Sequence, residues 1–245
     1  MNLEVPRGRP GEETASTDVS AASVTLTADA FDAAHAIYFL DAVYGDVNSG
    51  QFSISHPTQQ GRWRSDHFQW LRSAVARAQQ WDAQQPPGIY FRTTMLPPNF
   101  KGKRGGADDA HALPFLWADL DYGTLGHKPP PDGLPLPPDE EAARKIIADQ
   151  PTPTLIINSG GGLYPIWQFK HPVLITDTNR AEAKTRSQDW QNLIKAKAEQ
   201  LGWHYGSGVG DLARVLRLPG SVNRKVPDQE RRCRVTEQSG EELKW

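Results

Sequence analysis

Two spacings of apolar residues alternate along the 245-residue chain, one of three to four residues and one of two. In DAFDAAHAIYFLDAVYG, Phe31, Ala34, Tyr38 and Ala42 share a helical face, with Thr27 or Asp29 as the cap and Gly45 as the stop. DHFQWLRSAVARAQQWDA predicts a second helix over 66–83, its apolar stripe running through Phe68, Leu71, Val75, Ala78 and Trp81. Asp139 caps a third, EEAARKIIAD, and residues 178–201 form a long amphipathic helix closed by Gly202. The shorter period marks strands: Phe52 and Ile54 on one face, GIYFRT over 88–93, and the strongly apolar LPFLWADLDY. Residues 154–158 and 163–169 are two β-prone runs whose Ser-Gly-Gly-Gly connection predicts a hairpin. Helices mixed with hairpins, without regular βαβ alternation, imply an α+β fold.

The polar stretches complete this outline. Residues 1–28, rich in Pro, Gly, Ser, Thr and Glu without an apolar period, are expected to form a disordered tail. KGKRGGADDAH is a basic, glycine-containing loop, and GHKPPPDGLPLPP is a proline-rich excursion that holds neither helix nor ladder. No internal repeat is present.

Composition narrows the class. Hydrophobic residues make up 38%, charged residues 23%, and mean hydropathy is −0.60, as in an ordinary water-soluble protein. No run approaches the roughly 18 apolar residues of a membrane span, and no signal-peptide core is present, so a cytoplasmic protein without a membrane partner is expected. The single cysteine, Cys233, excludes an internal disulfide and a cysteine-cluster zinc site. A net charge of −2 argues at first against a nucleic-acid partner. That sum conceals a division, because 214–234 holds seven Arg and Lys against two acids, while 1–29 holds two against five. A local basic site survives in a nearly neutral total.

Three segments carry candidate chemistry. Asp119-Leu120-Asp121 ends an apolar strand, so both carboxylates face one way. Their repulsion is relieved by a divalent cation, and oxygen-only ligation suits Mg²⁺ or Mn²⁺. The same spacing also describes a strand end running into a polar turn. Ser159-Gly160-Gly161-Gly162-Leu163-Tyr164 can turn backbone N–H groups toward one anion, with the Ser159 hydroxyl beside them. It can equally be a plain hairpin turn. In the third, Asp211 precedes RVLRLPGSVNRK, where Arg217, Asn223 and Lys225 suit a triphosphate and a sugar, and Asp211 a third metal-ligand position. A solvated basic face would have the same composition. Neither a P-loop, nor HExxH, nor GxSxG is present.

The order of these motifs resembles the archaeo-eukaryotic primase superfamily, and more narrowly the primase-polymerase domains of phage and plasmid replication proteins. FLWADLD matches the family's first motif, Ser159 to Tyr164 its second, and Asp211 with RVLRLPG its third; YFRTT and KGKRGG also look like the phage subgroup. The resemblance spans about 89–225, LRLPGSVNRK being its most specific part. It implies a catalytic domain over 29–245 with a primase-polymerase fold, comprising an N-terminal α/β module to about 110 and an RRM-like, metal- and nucleotide-binding part from about 111. It further implies templated nucleotidyl transfer in DNA replication. Asp119, Asp121 and Asp211 would hold two divalent ions, and Ser159, Gly160, Gly161, Gly162, Tyr164, Arg217, Asn223 and Lys225 would bind the NTP or dNTP. Lys101, Lys103, Arg104 and Arg92 would lie toward a single-stranded template or primer-template, and a replicative helicase is the implied partner. Where many relatives carry histidine after the glycines, this chain has Tyr164, whose phenol can donate a hydrogen bond but carries no positive charge. Two other classes use the same residues: a catalytically weak nucleotide- or strand-binding module, and a metal-dependent nuclease.

Overall fold

In the computed structural model, residues 30–58 and 60–245 are described. The expected N-terminal tail and the cap at Thr27 or Asp29 lie outside the described residues. Helix α1 (Ala33–Tyr44) is capped instead by Asp32, whose carboxylate accepts from the His35 N–H at 3.0 Å. Its buried face also differs from the expected one. Ala36, Phe39, Leu40 and Val43 point inward, whereas Ala34 is exposed and Tyr38 is 43% exposed. The helix carries apolar residues on two faces, and the face with the greater aliphatic volume takes the core.

Strands β1 (Phe52–Pro57) and β2 (Trp63–Phe68) form an antiparallel pair with Phe52 opposite Phe68 and Ser55 opposite Ser65. The expected helix over 66–83 therefore begins later, as α2 (Leu71–Asp82), and Phe68 belongs to β2. As a half-exposed edge strand with few apolar residues, β2 gives almost no period-two signal. Strand β3 (Tyr90–Arg92) pairs with β1 on one side and with β8 (Val215–Arg217) on the other, completing the sheet β2-β1-β3-β8.

The second sheet is built around β7 (Gly162–Leu174), which pairs with β4 (Ala112–Trp117), the short β5 (Leu120–Asp121) and β6 (Leu155–Asn158). The expected hairpin is present, with Asn158 opposite Leu163. Strand β11 (Arg234–Gln238) adds to β6, while β9 (Val222–Asn223) and β10 (Arg231–Arg232) form a separate pair. Asp139 caps α3 (Glu140–Lys145) by accepting from the Ala142 N–H at 2.8 Å. Helix α4 (Arg180–Gln200) buries Ala183, Ser187, Gln191, Ile194 and Ala198, one stripe at helical spacing.

One aromatic chain joins the two sheets. Phe39 of α1 meets Phe91 of β3 edge-on at 4.8 Å, Phe91 meets Phe115 of β4 at 6.5 Å, and Phe115 meets Trp117 at 6.3 Å. All four rings are essentially inaccessible to solvent, so the end of β4 is held by packing that extends across both sheets. Among the described residues no helix is long and apolar enough to cross a membrane.

Candidate active site

The site lies where β4 ends. Trp117 anchors that end through its indole N–H, which donates to the Val209 carbonyl at 3.1 Å. From α4, Gln191 donates to the Trp117 carbonyl at 2.7 Å and accepts from the Tyr205 hydroxyl at 2.5 Å. That hydroxyl in turn accepts from the Asp119 N–H at 3.3 Å. Buried polar groups satisfied in series leave this backbone little freedom, so the Asp119 carboxylate is directed by the core.

Asp119 and Asp121 both line a cavity of about 220 Å³ beside the glycine hairpin, and a second cavity of about 70 Å³ on the side of Tyr205. The two carboxylates have different surroundings. Asp119 is largely buried, and Arg214 donates to it in an ion pair. Burial, and then the repulsion of Asp121, push its carboxyl above the ordinary carboxylate range against the pull of Arg214. Asp121 is half exposed, and its carboxylate faces His127 Nδ1 at 3.4 Å. The other ring nitrogen of His127 lies 2.8 Å from the Gly161 carbonyl, to which it must donate. The hydrogen bond to Asp121 raises the imidazole above its ordinary value.

The glycine turn is tightly specified. Gly160 has φ of +77°, and a Cβ there would come within 2.7 Å of Arg231 Cβ. A Cβ on Gly162 would lie 2.5 Å from the Leu120 carbonyl oxygen, so β5 and β7 can approach only without a side chain here. Part of the expected set of anion donors is engaged within the turn. The Ser159 N–H and hydroxyl both donate to the Gly162 carbonyl, at 2.9 and 3.1 Å, and the Gly160 N–H donates to the Asn158 side chain at 2.8 Å. These donors close the turn on itself, and cations surround it instead.

Arg217, Lys225, Arg231 and Arg214 line the same cavity, together with Tyr164 and Asn223. Arg217 is buried, donating to the Ser159 carbonyl at 3.3 Å and to the Tyr90 hydroxyl at 3.0 Å. Asn223 donates to the Ser159 carbonyl at 3.2 Å and accepts from the Lys225 N–H at 3.1 Å, so its amide shapes the turn. Burial keeps the Tyr164 phenol neutral, pushing its ionisation far above the ordinary range, and the nearby Asp119 adds to the effect. Arg231, with Leu125 and Gly161, also lines a larger neighbouring cavity of about 650 Å³.

Two expected positions lie elsewhere. Asp211 lines neither cavity around the carboxylates. Its side chain accepts from the Ala213 N–H at 2.9 Å and its carbonyl from the Arg214 N–H at 2.7 Å, which forms the turn presenting Arg214. Arg92 is buried beneath the basic loop and donates to Thr94 Oγ1 at 2.9 Å and to the Gly105 and Gly106 carbonyls at 3.0 and 2.7 Å. Burial lowers its guanidinium to about 10. Lys101, Lys103 and Arg104 stand exposed on the loop that Arg92 anchors. Sequence reasoning missed His127, Arg231, Tyr90 and the Arg214–Asp119 pair. Arg214 lay inside a quoted motif, but nothing in the proline-rich run marks His127 as facing Asp121.

Comparison with known proteins agrees with this geometry at the level of fold. No protein-family model and no characterised sequence matches the chain. Among solved structures, the archaeo-eukaryotic primase domain of the cyanophage S-2L primase-polymerase superposes with a TM-score of 0.55 at 16% identity, covering 88% of this chain and 95% of that one. Primase RepB' gives a TM-score of 0.49 at 14% identity, over 84% of this chain and 58% of that one. Its catalytic domain in complex with initiator DNA gives 0.46 at 14%, over 85% and 87%. The α+β architecture is therefore similar in fold to the archaeo-eukaryotic primase domain of the cyanophage protein.

Proposed function

We propose that this chain is a metal-dependent nucleotidyltransferase that copies a single-stranded template, a DNA primase and polymerase of a replication system. The observation that carries this reading is the convergence of Asp119 and Asp121 with Arg214, Arg217, Lys225, Arg231 and His127 around one glycine turn. Joining a nucleotide to a 3′-hydroxyl needs acidic ligands for cations and basic ligands for a triphosphate within one small volume. Hydrolysis by a nuclease has no need of the second set.

Asp119 and Asp121 fit Mg²⁺ or Mn²⁺. Such an ion takes one or two carboxylates and completes its shell with substrate phosphates and water. The unfavourable charge state of Asp119 is what a cation relieves. Held by Asp119 and Asp121, such ions would supply Lewis-acid chemistry, activating a hydroxyl and neutralising phosphate charge. Among the described residues no group of three His, Cys, Asp or Glu side chains is placed to hold a metal. The reading accordingly rests on the aspartate pair, with Asp211 shaping the turn that carries Arg214.

Arg217, Lys225 and Arg231 bind phosphate oxygens, and Tyr164 adds a neutral donor. Arg214 is placed to pass its guanidinium from Asp119 to a phosphate oxygen. The basic loop meets the template, and the protein works in the cytoplasm beside a replicative helicase. Incorporation on primed and unprimed templates, with each nucleotide set and with Mg²⁺ or Mn²⁺, tests the reading. Metal-dependent product that disappears in Asp119→Ala and Asp121→Ala is expected; no synthesis by the wild type under any of these conditions sinks it. The Arg214–Asp119 pair favours a second reading, a binding module that has closed its metal site. Single-strand affinity unchanged by the aspartate substitutions, with no synthesis throughout, selects that one.

A further inference from the structure

One face of the first sheet carries an unbroken series of cations and rings that ends in the candidate active site. The register puts Ser65, Ser55, Tyr90 and Arg217 side by side across β2, β1, β3 and β8, with Trp63 one pleat further along β2. Ser55 and Ser65 are small and hydrogen-bonded to each other at 2.8 Å, so the larger side chains close over them. Trp63 reaches across the intervening strand to meet Tyr90 edge-on at 5.2 Å. Outward from Trp63, the Arg104 guanidinium lies 5.5 Å from its ring centroid; inward from Tyr90, the Arg217 guanidinium lies 5.1 Å from that ring. Gly88 clears the inner end, since a Cβ there would sit 2.9 Å from Arg217 Nε and 3.1 Å from the Tyr90 hydroxyl.

The series runs from solvent to the carboxylates. Trp63 is 43% exposed, while Tyr90 and Arg217 line the cavity that holds Asp119 and Asp121. Its outer end is fixed in place, because His67 donates to the Gly102 and Lys103 carbonyls at 3.3 and 3.0 Å and Arg92 holds Gly105 and Gly106. The loop thereby holds Arg104 over Trp63 with Lys101 and Lys103 exposed beside it. Exposed rings interleaved with cations match a single nucleic-acid strand, whose bases stack on π-faces and whose phosphates take the charges. A folded partner's interface is depleted of lysine, whereas Lys101 and Lys103 stand exposed here. Trp70 supplies the contrast: it is 73% exposed, yet no ring or cation stacks on it among the described residues.

We infer that Trp63, capped by Arg104 and backed by Tyr90, is a base-stacking platform that delivers a single-stranded template to the cavity. This rests on the reading of that cavity as the place of synthesis. Binding of labelled single-stranded oligonucleotides to the full chain, measured by anisotropy across a salt series, tests it. Trp63→Ala should weaken binding roughly ten-fold without changing the slope of affinity against salt, because stacking releases no counterions. Arg104→Ala should flatten that slope by about one. Trp63→Phe should recover most of the affinity, and Trp70→Ala should bind like the wild type. Wild-type affinity in Trp63→Ala overturns the platform, and if the wild type synthesises, it does so without touching the proposed activity. Equal loss in Trp63→Ala and Trp70→Ala, or equal binding of duplex and single strand, overturns it too. The Trp63-specific loss in a chain that makes no product supports the platform and counts against synthesis alone.

Discussion

Two buried arginine–aspartate pairs, made of the same groups, sit in opposite circumstances. In the first, Arg224 reaches Asp82 at the end of α2 with two parallel hydrogen bonds, at 2.7 and 3.1 Å, and Glu230 lies 3.3 Å from the same guanidinium. Both members are more than nine-tenths buried. In the second, Arg214 holds Asp119 through one nitrogen, with the arginine side chain about one-third exposed. A planar fork facing a carboxylate with both oxygens engaged is a finished contact. A single donor on a carboxylate that also feels Asp121 leaves lone pairs open and charge unbalanced. The first pair ties the 224–230 segment to α2, and the second is poised for exchange.

Substitutions at the two aspartates should separate the pairs. Asp119→Ala should reduce metal-dependent incorporation at least about 100-fold, since the ions proposed to bind there would supply several kcal/mol of transition-state stabilisation. Its thermal midpoint should stay within a few degrees of the wild type. Steady-state incorporation beside calorimetry checks both, and a large drop in midpoint would make Asp119 a structural residue like Asp82. Asp82→Ala should do the reverse. Leaving Arg224 without its main partner costs about 3 kcal/mol, which corresponds to a midpoint lower by roughly 6–12 °C in a domain of this size. Activity per folded molecule should persist well below the transition.

A smaller effect sharpens the contrast from the other side. Mn²⁺ at about ten times its dissociation constant should stabilise the wild type by roughly 1.4 kcal/mol. A thermal-shift titration should show no such gain in Asp121→Ala, and an undiminished gain there would place the ion elsewhere. The smallest effect concerns protons. His35 accepts from the Val235 N–H through Nε2, which requires a neutral ring, and burial lowers its affinity for a proton. The unfolded chain therefore binds more protons, so stability present above the unfolded pKa of about 6.5 is lost as pH falls below it. With the ring only half-buried, the loss by pH 5.5 should be smaller than any of the effects above. Urea midpoints of wild type and His35→Gln at pH 7.5 and 5.5 isolate this contribution, which is absent if the two chains shift together.

Much of this was legible in the chain, where local rules suffice. The hairpin over 154–169 follows from two β-prone runs and a glycine turn, and Asp139 caps α3 as its spacing predicts. The strand leading to Asp119 is read from FLW, which needs burial on both faces. The reading failed where an element borrows its stability from neighbours. β2 pairs along an edge with little apolar content, so its residues 66–68 pass for the start of a helix. The buried face of α1 depends on what it packs against.

Residue type and adjacent position are enough to define the carboxylate pair, the glycine turn and the basic segment. How these three act on one another depends on the packing of distant segments. Asp211 lines neither cavity around the carboxylates and accepts from the Ala213 N–H, since a short side chain bonds readily to nearby N–H groups. His127 is brought from a proline-rich excursion to stand between Asp121 and Gly161, and Arg231 packs against Gly160 of the turn. Trp63 and Tyr90 are 27 positions apart in the chain yet meet ring to ring over two serines. Electrostatics and stacking act over a few ångströms of space, and which residues fall within that distance is a property of the packed sheets.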